Sequence, residues 1–343
     1  MLLVTGGAGY IGSHTLVQLL QANYEVVVLD NLSNASTVAL ERVKQITGKN
    51  IYFVEGDIRD QKILKQIFDD YFITAVIHFA ALKAVGESMH NPLEYFDNNI
   101  NGTIQLLKAM ESAEVYQLVF SSSATIYGET EQWELSESMP LGMPTNNYGY
   151  TKLVVEQLLQ KLSQSSSNWS IANLRYFNPI GAHRSGLIGE DPKGIPNNLL
   201  PFVSQVAIGK LDYLRIFGND YPTADGTAIR DYIHVIDLAD AHLKALQYIE
   251  KNTGNHAWNI GTGNGYTVRQ IVDTFEQVTG KQIPFEYMPR REGDIAACWA
   301  NACKAHIELE WKAIYTLHDM IHDLWTWQVN NPDGYKNTTS PIC

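Results

Sequence analysis

The 343-residue chain is 45% hydrophobic and 18% charged, values of a folded globular protein with one or two domains around a sizeable core. Its 37 acidic residues outnumber the 25 basic ones, and a net charge of -12 argues against nucleic acid as a partner. Three cysteines without a CxxC pair (Cys298, Cys303 and Cys343), no basic leader and no long apolar run lead us to expect a reducing, cytoplasmic setting, without signal peptide or membrane span.

Met1 to Thr5 reads as a short apolar strand, followed by the turn Gly6-Gly7-Ala8-Gly9-Tyr10-Ile11-Gly12 and a helix over Ser13–Gln21. Glu25–Asp30 is a β-branched strand ending in an acid. Apolar runs at Ile51–Val54, Ala75–Phe79, Leu118–Phe120 and Ile171–Leu174 alternate with helical patterns at Val38–Ile46, Gln61–Tyr71, Leu93–Ser112 and Tyr148–Leu162. Such strands, apolar on both faces and separated by helices, predict an α/β fold with a doubly wound parallel (Rossmann) sheet. After Tyr176 the steps Asn178-Pro179, Asp191-Pro192, Ile195-Pro196, Leu200-Pro201 and Tyr221-Pro222 predict loops and short elements. Regular patterns return at Asp231–Val235, Asp237–Ile249, Ala257–Ile260, Val268–Val278 and Leu317–Trp327. The expected organisation is a Rossmann domain over 1–177, completed by 231–258, with a smaller α/β substrate-binding domain from 178–230 and 259–343.

Gly6, Gly9 and Gly12 form GxxGxxG between a strand and a helix, and Gly7, Gly9 and Gly12 also satisfy GxGxxG. Backbone N–H groups at such a helix start face a pyrophosphate. Asp30, eighteen residues beyond Gly12, is placed for the ribose hydroxyls and would repel a 2′-phosphate, so NAD is expected over NADP. Asp57 follows the third strand, where an adenine edge is expected. Lys83 follows the fourth; it suits a phosphate and equally suits solvent. Tyr148 and Lys152 lie four apart and share one helix face; by spacing alone they suit an ordinary surface pair, but with a redox cofactor and a third polar group the ammonium would lower the phenol's pKa and make it a usable base. Four residues beyond Tyr150 is apolar Val154, so Tyr150 lacks that partner. His234, Asp237, Asp240 and His242 read as strand running into helix, with Asp237 as N-cap, and no metal site is expected. Trp311, Trp325 and Trp327 read as packing residues.

Ser123 in Phe120-Ser121-Ser122-Ser123, joined to Tyr148, Lys152 and Thr5-Gly6-x-x-Gly9-x-x-Gly12, resembles the extended short-chain dehydrogenase/reductase superfamily. Further stretches are similar to its UDP-hexose 4-epimerase family from Met1 to about Gly334. They are His78–Ser88, Leu174–Pro179, Gly194–Leu199, Gly226–Val235 and Pro289–Asp294. The resemblance implies reversible NAD-dependent inversion at C4 of UDP-glucose and UDP-galactose through a 4-keto sugar, in galactose metabolism. Tyr148 would be the base; Lys152 would lower its pKa and bind the nicotinamide ribose; Ser123 would hydrogen-bond the sugar O4. Tightly held NAD would meet Tyr10, Ile11, Asp30, Asn31, Asp57, Ile58, Phe79, Ala80, Lys83, Asn98 and Phe177, along with the three catalytic residues. The UDP-sugar would meet Lys83, Asn178, Asn198, Leu199, Phe217, Arg230, Arg291 and Asp294. Relatives pair the helices corresponding to Leu93–Ser112 and Tyr148–Leu162 across a two-fold, which implies a homodimer.

Rival activities remain to be weighed. In related 4,6-dehydratases an Asp-Glu pair follows the serine or threonine, whereas Ala124-Thr125 follow Ser123 here. A decarboxylase or another epimerase of the superfamily is harder to separate, and a non-catalytic NAD-binding protein would not need the Ser-Tyr-Lys set. Family members often carry tyrosine where this chain has Cys298, beside the sugar. A small residue there leaves room for an N-acetyl group, so UDP-N-acetylglucosamine and UDP-N-acetylgalactosamine are expected as further substrates; the alternative is a neutral exchange in a relaxed loop.

Overall fold

Leu2 and Val4 pack into one core cluster and Leu3 into another; Val28 joins the first, Val27 and Leu29 the second. A sheet made of such strands needs cover on both faces. The computed structural model describes residues 1–336 apart from Ile195, Asn197 and Glu292. Those three positions in the Gly194–Leu199 and Pro289–Asp294 stretches, and Cys343, lie outside the described residues.

The first half runs β1 (Leu2–Thr5), α1 (Tyr10–Gln21), β2 (Val26–Asp30), α2 (Thr37–Thr47), β3 (Tyr52–Glu55), α3 (Gln61–Asp70), β4 (Ala75–His78), α4 (Val85–His90), α5 (Pro92–Tyr95), α6 (Gly102–Ser112), β5 (Gln117–Ser123), β6 (Glu134–Leu135), α7 (Asn147–Ser165) and β7 (Ser170–Tyr176). Then come β8 (Asn178–Ile180), α8 (Leu199–Ala207), β9 (Leu214–Phe217), β10 (Ile229–His234), α9 (Val235–Ile249), β11 (Gly254–Ile260), β12 (Gly265–Thr267), α10 (Val268–Thr279), β13 (Phe285–Met288), β14 (Ala297–Ala300), α11 (Cys303–Glu308) and α12 (Leu317–Asn330).

Seven parallel strands form the main sheet in the order β11-β7-β5-β4-β1-β2-β3. The strand order reverses between β1 and β4, and the carboxyl ends there open the crevice where ligands of this architecture bind. One face is covered by α1 and α9, through Leu16, Leu19, Leu238 and Leu246. The other is covered by α3, α6 and α7, through Ile67, Leu106, Val155 and Leu159. Within 231–258, α9 and β11 complete the layers of this large sheet, while β10 belongs to a second one ordered β12-β10-β14-β6, with β8 on β10. A third core joins α8, α10 and α12 around Phe275, Leu200 and Ile321, next to the parallel pair β9–β13. No helix among the described residues is long and apolar enough to cross a membrane.

Two departures from the sequence reading affect the site. Leu93–Ser112 is not one helix: a π turn, Phe96–Asn101, separates α5 from α6. Its wider turn lets the consecutive Asn98 and Asn99 both point inward, a device common at functional sites. The Pro-rich stretch also contains the helix α8, which its composition hid.

Candidate active site

Positive φ (70°) at Gly6 goes with a close approach of the turn to the segment just after β4, where an added Cβ would lie 2.6 Å from the Ala80 nitrogen. At Gly12 a Cβ would lie 2.4 Å from the Gly6 carbonyl oxygen, so only glycine lets α1 close on the turn. The N-terminus of α1 at Gly9 has no side-chain cap, and a Cβ there would meet nothing nearer than the Gly6 oxygen at 3.3 Å. Open space above uncapped N–H groups fits the pyrophosphate of a dinucleotide. Asp30 stands beside it and accepts from Ala8 N at 3.0 Å and Leu32 N at 2.9 Å. Burial pushes its carboxyl up, and the two N–H groups pull back. Each oxygen keeps a further lone pair for a ribose hydroxyl, so the residues present fit NAD.

The rest of the cofactor half lies along the same edge. Asn31 donates to Asp57 at 3.0 Å, and Arg59 holds the Asp57 carboxyl down at about 2. Ile58 is buried against α6, and Phe79 and Ala80 hang from Thr5 by backbone bonds of 2.9 and 3.1 Å. Tyr10 donates to the Gly181 carbonyl at 2.6 Å, Ile11 is half-buried, and Asn98 donates to Asn99 at 2.9 Å. Asn99, which the sequence did not single out, binds both backbone atoms of Leu82 and the Thr151 hydroxyl. It thereby fixes the loop after β4 to α7.

Ser123 ends β5, and α7 opens on an Asn146 cap that accepts from Gly149 N at 2.8 Å. This places Tyr148 near the Ser123 hydroxyl, which pulls the phenol's pKa down. One turn on, buried Lys152 donates to the Ser121 carbonyl at 2.6 Å, its ammonium 5.9 Å from the Tyr148 ring centroid. The three predicted catalytic groups thus converge beside the strand-order reversal. Their charges differ from expectation. Burial pushes the Tyr148 phenol up to about 12, against which the Ser123 hydrogen bond pulls it down, and burial pushes Lys152 down to about 7. Desolvation by burial is the largest influence on both groups. Tyr176 at the end of β7 hydrogen-bonds the Ser121 hydroxyl, placing a second buried phenol near Tyr148.

Below this cluster lies a buried ion pair that the sequence did not reveal. Arg175 binds both Glu156 oxygens, with a shortest contact of 2.7 Å; Ser122 donates to Glu156 at 2.5 Å and Arg175 to the Tyr127 hydroxyl at 3.0 Å. Tyr127 passes the chain on to Asn259 at 2.7 Å. Glu156 is two turns beyond Tyr148, so the network fastens α7 to the strands beside Ser123 and Tyr176.

On the substrate half, Phe177 and Cys298 pack into one small cluster with Tyr127 and Leu135. Cys298 is aligned with Arg230 across β14 and β10, and Asn178 with Tyr232 across β8 and β10. Arg291 pairs with Asp294 at 2.9 Å and lies 4.8 Å from the Phe217 ring centroid. Tyr221, not foreseen, is buried among Arg230, Arg290, Arg291 and Asp294. Lys83 is neither a free surface lysine nor a free phosphate ligand in this structure. It bridges to Glu190 at 2.9 Å, and Asn198 donates to the same Glu190 oxygen at 3.1 Å. Leu199 follows as the first residue of α8.

The remaining acid and histidine residues have structural surroundings. His234, rather than Asp237, caps α9, accepting from Ile236 N at 3.0 Å. Asp237 instead accepts from Ile314 N and Tyr315 N, tying down the loop before α12. His242 is buried against the Phe79 and Tyr176 rings. Trp311 and Trp327 are core residues and Trp325 packs edge-on against Phe275.

Comparison with known proteins follows the same outline. Residues 2–261 match the model of the NAD dependent epimerase/dehydratase family. UDP-glucose 4-epimerase of Bacillus subtilis (strain 168) is 56% identical over 98% of this chain and 99% of its own length. A crystal structure of UDP-glucose 4-epimerase from Bifidobacterium longum, in complex with NAD+ and UDP, superposes with a TM-score of 0.95 at 50% identity, covering 97% of this chain and 99% of that one. The UDP-Glc/GlcNAc 4-epimerase from Campylobacter jejuni superposes with a TM-score of 0.83 at 38% identity, covering 96% and 99%.

Proposed function

The chain belongs to the NAD dependent epimerase/dehydratase family, and we propose that it is an isomerase that interconverts UDP-glucose and UDP-galactose at C4 through a 4-keto sugar, with NAD as resident cofactor. The activity is that of its relatives at 56% and 50% identity over nearly the full chain. The observation that carries the chemistry is the approach of Ser123, Tyr148 and Lys152 at the end of β5, on the sheet whose glycine turn and Asp30 fit NAD.

Bound oxidised nicotinamide supplies a hydride acceptor for C4 and later a donor to the opposite face of the ketone. Everything else falls to side chains. Tyr148 Oη takes the proton of the C4 hydroxyl and returns it after the sugar has turned over, and the Ser123 hydroxyl hydrogen-bonds O4. The Lys152 ammonium binds the ribose and favours the phenolate when charged. Phe217, Arg230, Arg291, Asp294, Asn178, Asn198 and Leu199 anchor the nucleotide and diphosphate, leaving the hexose loosely held so that it can present either face. Arginine suits this task, since its planar fork pairs with phosphate oxygens. Lys83 leaves Glu190 for a ligand phosphate. Oxidation and reduction cancel over a cycle, so turnover consumes no added cofactor. Ala124 and Thr125 offer no carboxylate for removing a C5 proton or expelling a C6 hydroxyl. Product analysis tests this: an epimerase keeps the mass of UDP-glucose, and loss of one water would establish a dehydratase instead.

Residues 1–177 with 231–258 act as the NAD-binding part, and 178–230 with 259–343 as the UDP-sugar-binding part. Cys298 packs in the same small cluster as Phe177 and is a smaller side chain than the tyrosine common in relatives, and the Campylobacter jejuni relative is described as a UDP-Glc/GlcNAc enzyme. Acetylated UDP-hexoses are therefore further substrates. Cys298→Tyr is expected to lower kcat/KM on UDP-N-acetylglucosamine roughly tenfold or more while sparing UDP-glucose; equal effects on both sugars would remove the gate. Leu93, at the start of the stretch Leu93–Ser112, exposes an apolar side chain on α5, which packs beside α7. It supports a homodimer paired through this helical face, in the cytoplasm, serving galactose metabolism.

A further inference from the structure

A serine hydroxyl has one hydrogen to donate and two lone pairs with which to accept. At Ser123 both lone pairs are taken by one residue. Thr125 donates its backbone N–H to Ser123 Oγ at 3.2 Å and its own hydroxyl at 2.9 Å. The remaining capacity of Ser123 is its hydrogen, and the nearby group it acts on is the Tyr148 phenol, whose pKa it pulls down. An oxygen that must give up its proton is stabilised by a donor and hindered by a competing acceptor. The direction of this one bond therefore decides whether Ser123 helps or opposes the base.

Packing holds Thr125 in place. A Cβ at Gly149, next to Tyr148, would lie 3.0 Å from Thr125 Oγ1 and 3.1 Å from its Cβ. The bare Cα lets the first turn of α7 rest on the threonine. The Thr125 carbonyl accepts from Gly128 N at 3.1 Å, closing the short 3-10 turn Ala124–Tyr127. Thr125 is thus fastened between the strand end that carries Ser123 and the helix start that carries Tyr148.

We propose that Thr125 is a positioning residue that fixes the polarity of the Ser123 hydroxyl, so that its one hydrogen is kept for donation, to the Tyr148 oxygen or to the sugar O4, whichever carries the negative charge. The proposal rests on the reading of Tyr148 as the base and adds a residue that acts through Ser123. Once Thr125 has filled the acceptor sites, Ser123 cannot take a proton from the phenol or from the C4 hydroxyl. The proton of that hydroxyl has one destination, Tyr148.

Thr125→Val keeps the branched shape and the backbone N–H and removes only the hydroxyl. With one lone pair of Ser123 released, kcat on UDP-glucose is expected to fall about tenfold, as for loss of a hydrogen bond to a charged group, with KM within about twofold. The rising limb of the pH–rate profile should move upward by about one pH unit, because the phenolate has lost an enforced donor. Thr125→Ser should restore kcat to within about threefold and return the limb to its wild-type position. Thr125→Val placed on Ser123→Ala should cost nothing further, since its effect passes through Ser123. Wild-type kcat and pH profile in Thr125→Val, or additive losses in the double variant, would overturn the proposal. Should Thr125→Val fail to fold, Thr125→Ala removes the same bond and is read in the same way. Wild-type turnover in Tyr148→Phe would instead overturn the assignment of the base, so the two failures are distinguishable.

Discussion

Tyr148→Phe is expected to lower turnover of UDP-glucose by about a thousandfold or more while UDP and NAD still bind, because it removes the atom that accepts and returns the C4 proton. The rest of the site does not depend on the lost hydroxyl: Lys152 bonds the Ser121 carbonyl at 2.6 Å, and Thr125 holds Ser123. In the wild-type protein the rate should rise with pH on the acid side. Burial drives the phenol up to about 12, only its ionised form is a base, and each step up in pH enlarges that fraction. Near-normal turnover in the variant, measured by product formation, would remove Tyr148 from the mechanism.

The second large effect concerns stability. Arg175→Met is expected to reduce the unfolding free energy by about 3–5 kcal/mol, read from urea denaturation, because it leaves a buried carboxylate without its partner. Glu156 would keep only the Ser122 hydroxyl at 2.5 Å, and the Tyr127 hydroxyl would lose its 3.0 Å donor. Both members of the pair are buried, so solvent screens them little. A loss below about 1 kcal/mol would mean that water reaches the pair and that it does not clamp α7 to the sheet. Glu156 and Arg175 carry no recognisable pattern in the sequence, being nineteen residues apart on different elements.

Much of the nucleotide half was legible because its signals are local. Two-faced apolar strands at Leu2–Thr5 and Val26–Asp30, the turn between them and the acid at Asp30 all lie within thirty residues. Tyr148 and Lys152 were legible through helical spacing, and Ser123 through the resemblance. The small sheet was not. Of its strands only 229–234 was announced, by the pattern at Asp231–Val235; those at 134–135, 265–267 and 297–300 are short and pair with segments distant in the chain, so no periodicity announces them. The π turn was hidden because Phe96–Asn101 differs from its helical flanks only in backbone pitch. Electrostatics was the least legible of all. Spacing puts an ammonium beside a phenol, but burial raises one pKa and lowers the other, and burial belongs to the folded state. The same holds for Lys83, whose partner Glu190 lies 107 residues away.

The central claim is that oxidation at C4 is undone on the other face of the same sugar, within one site that keeps its cofactor. Turnover of UDP-glucose carrying deuterium at C4, in ordinary water and without added NAD, tests it most directly. The account predicts UDP-galactose that retains the deuterium at C4, because the hydrogen removed is the hydrogen returned. Deuterium lost to solvent, or no product without added NAD, would contradict it.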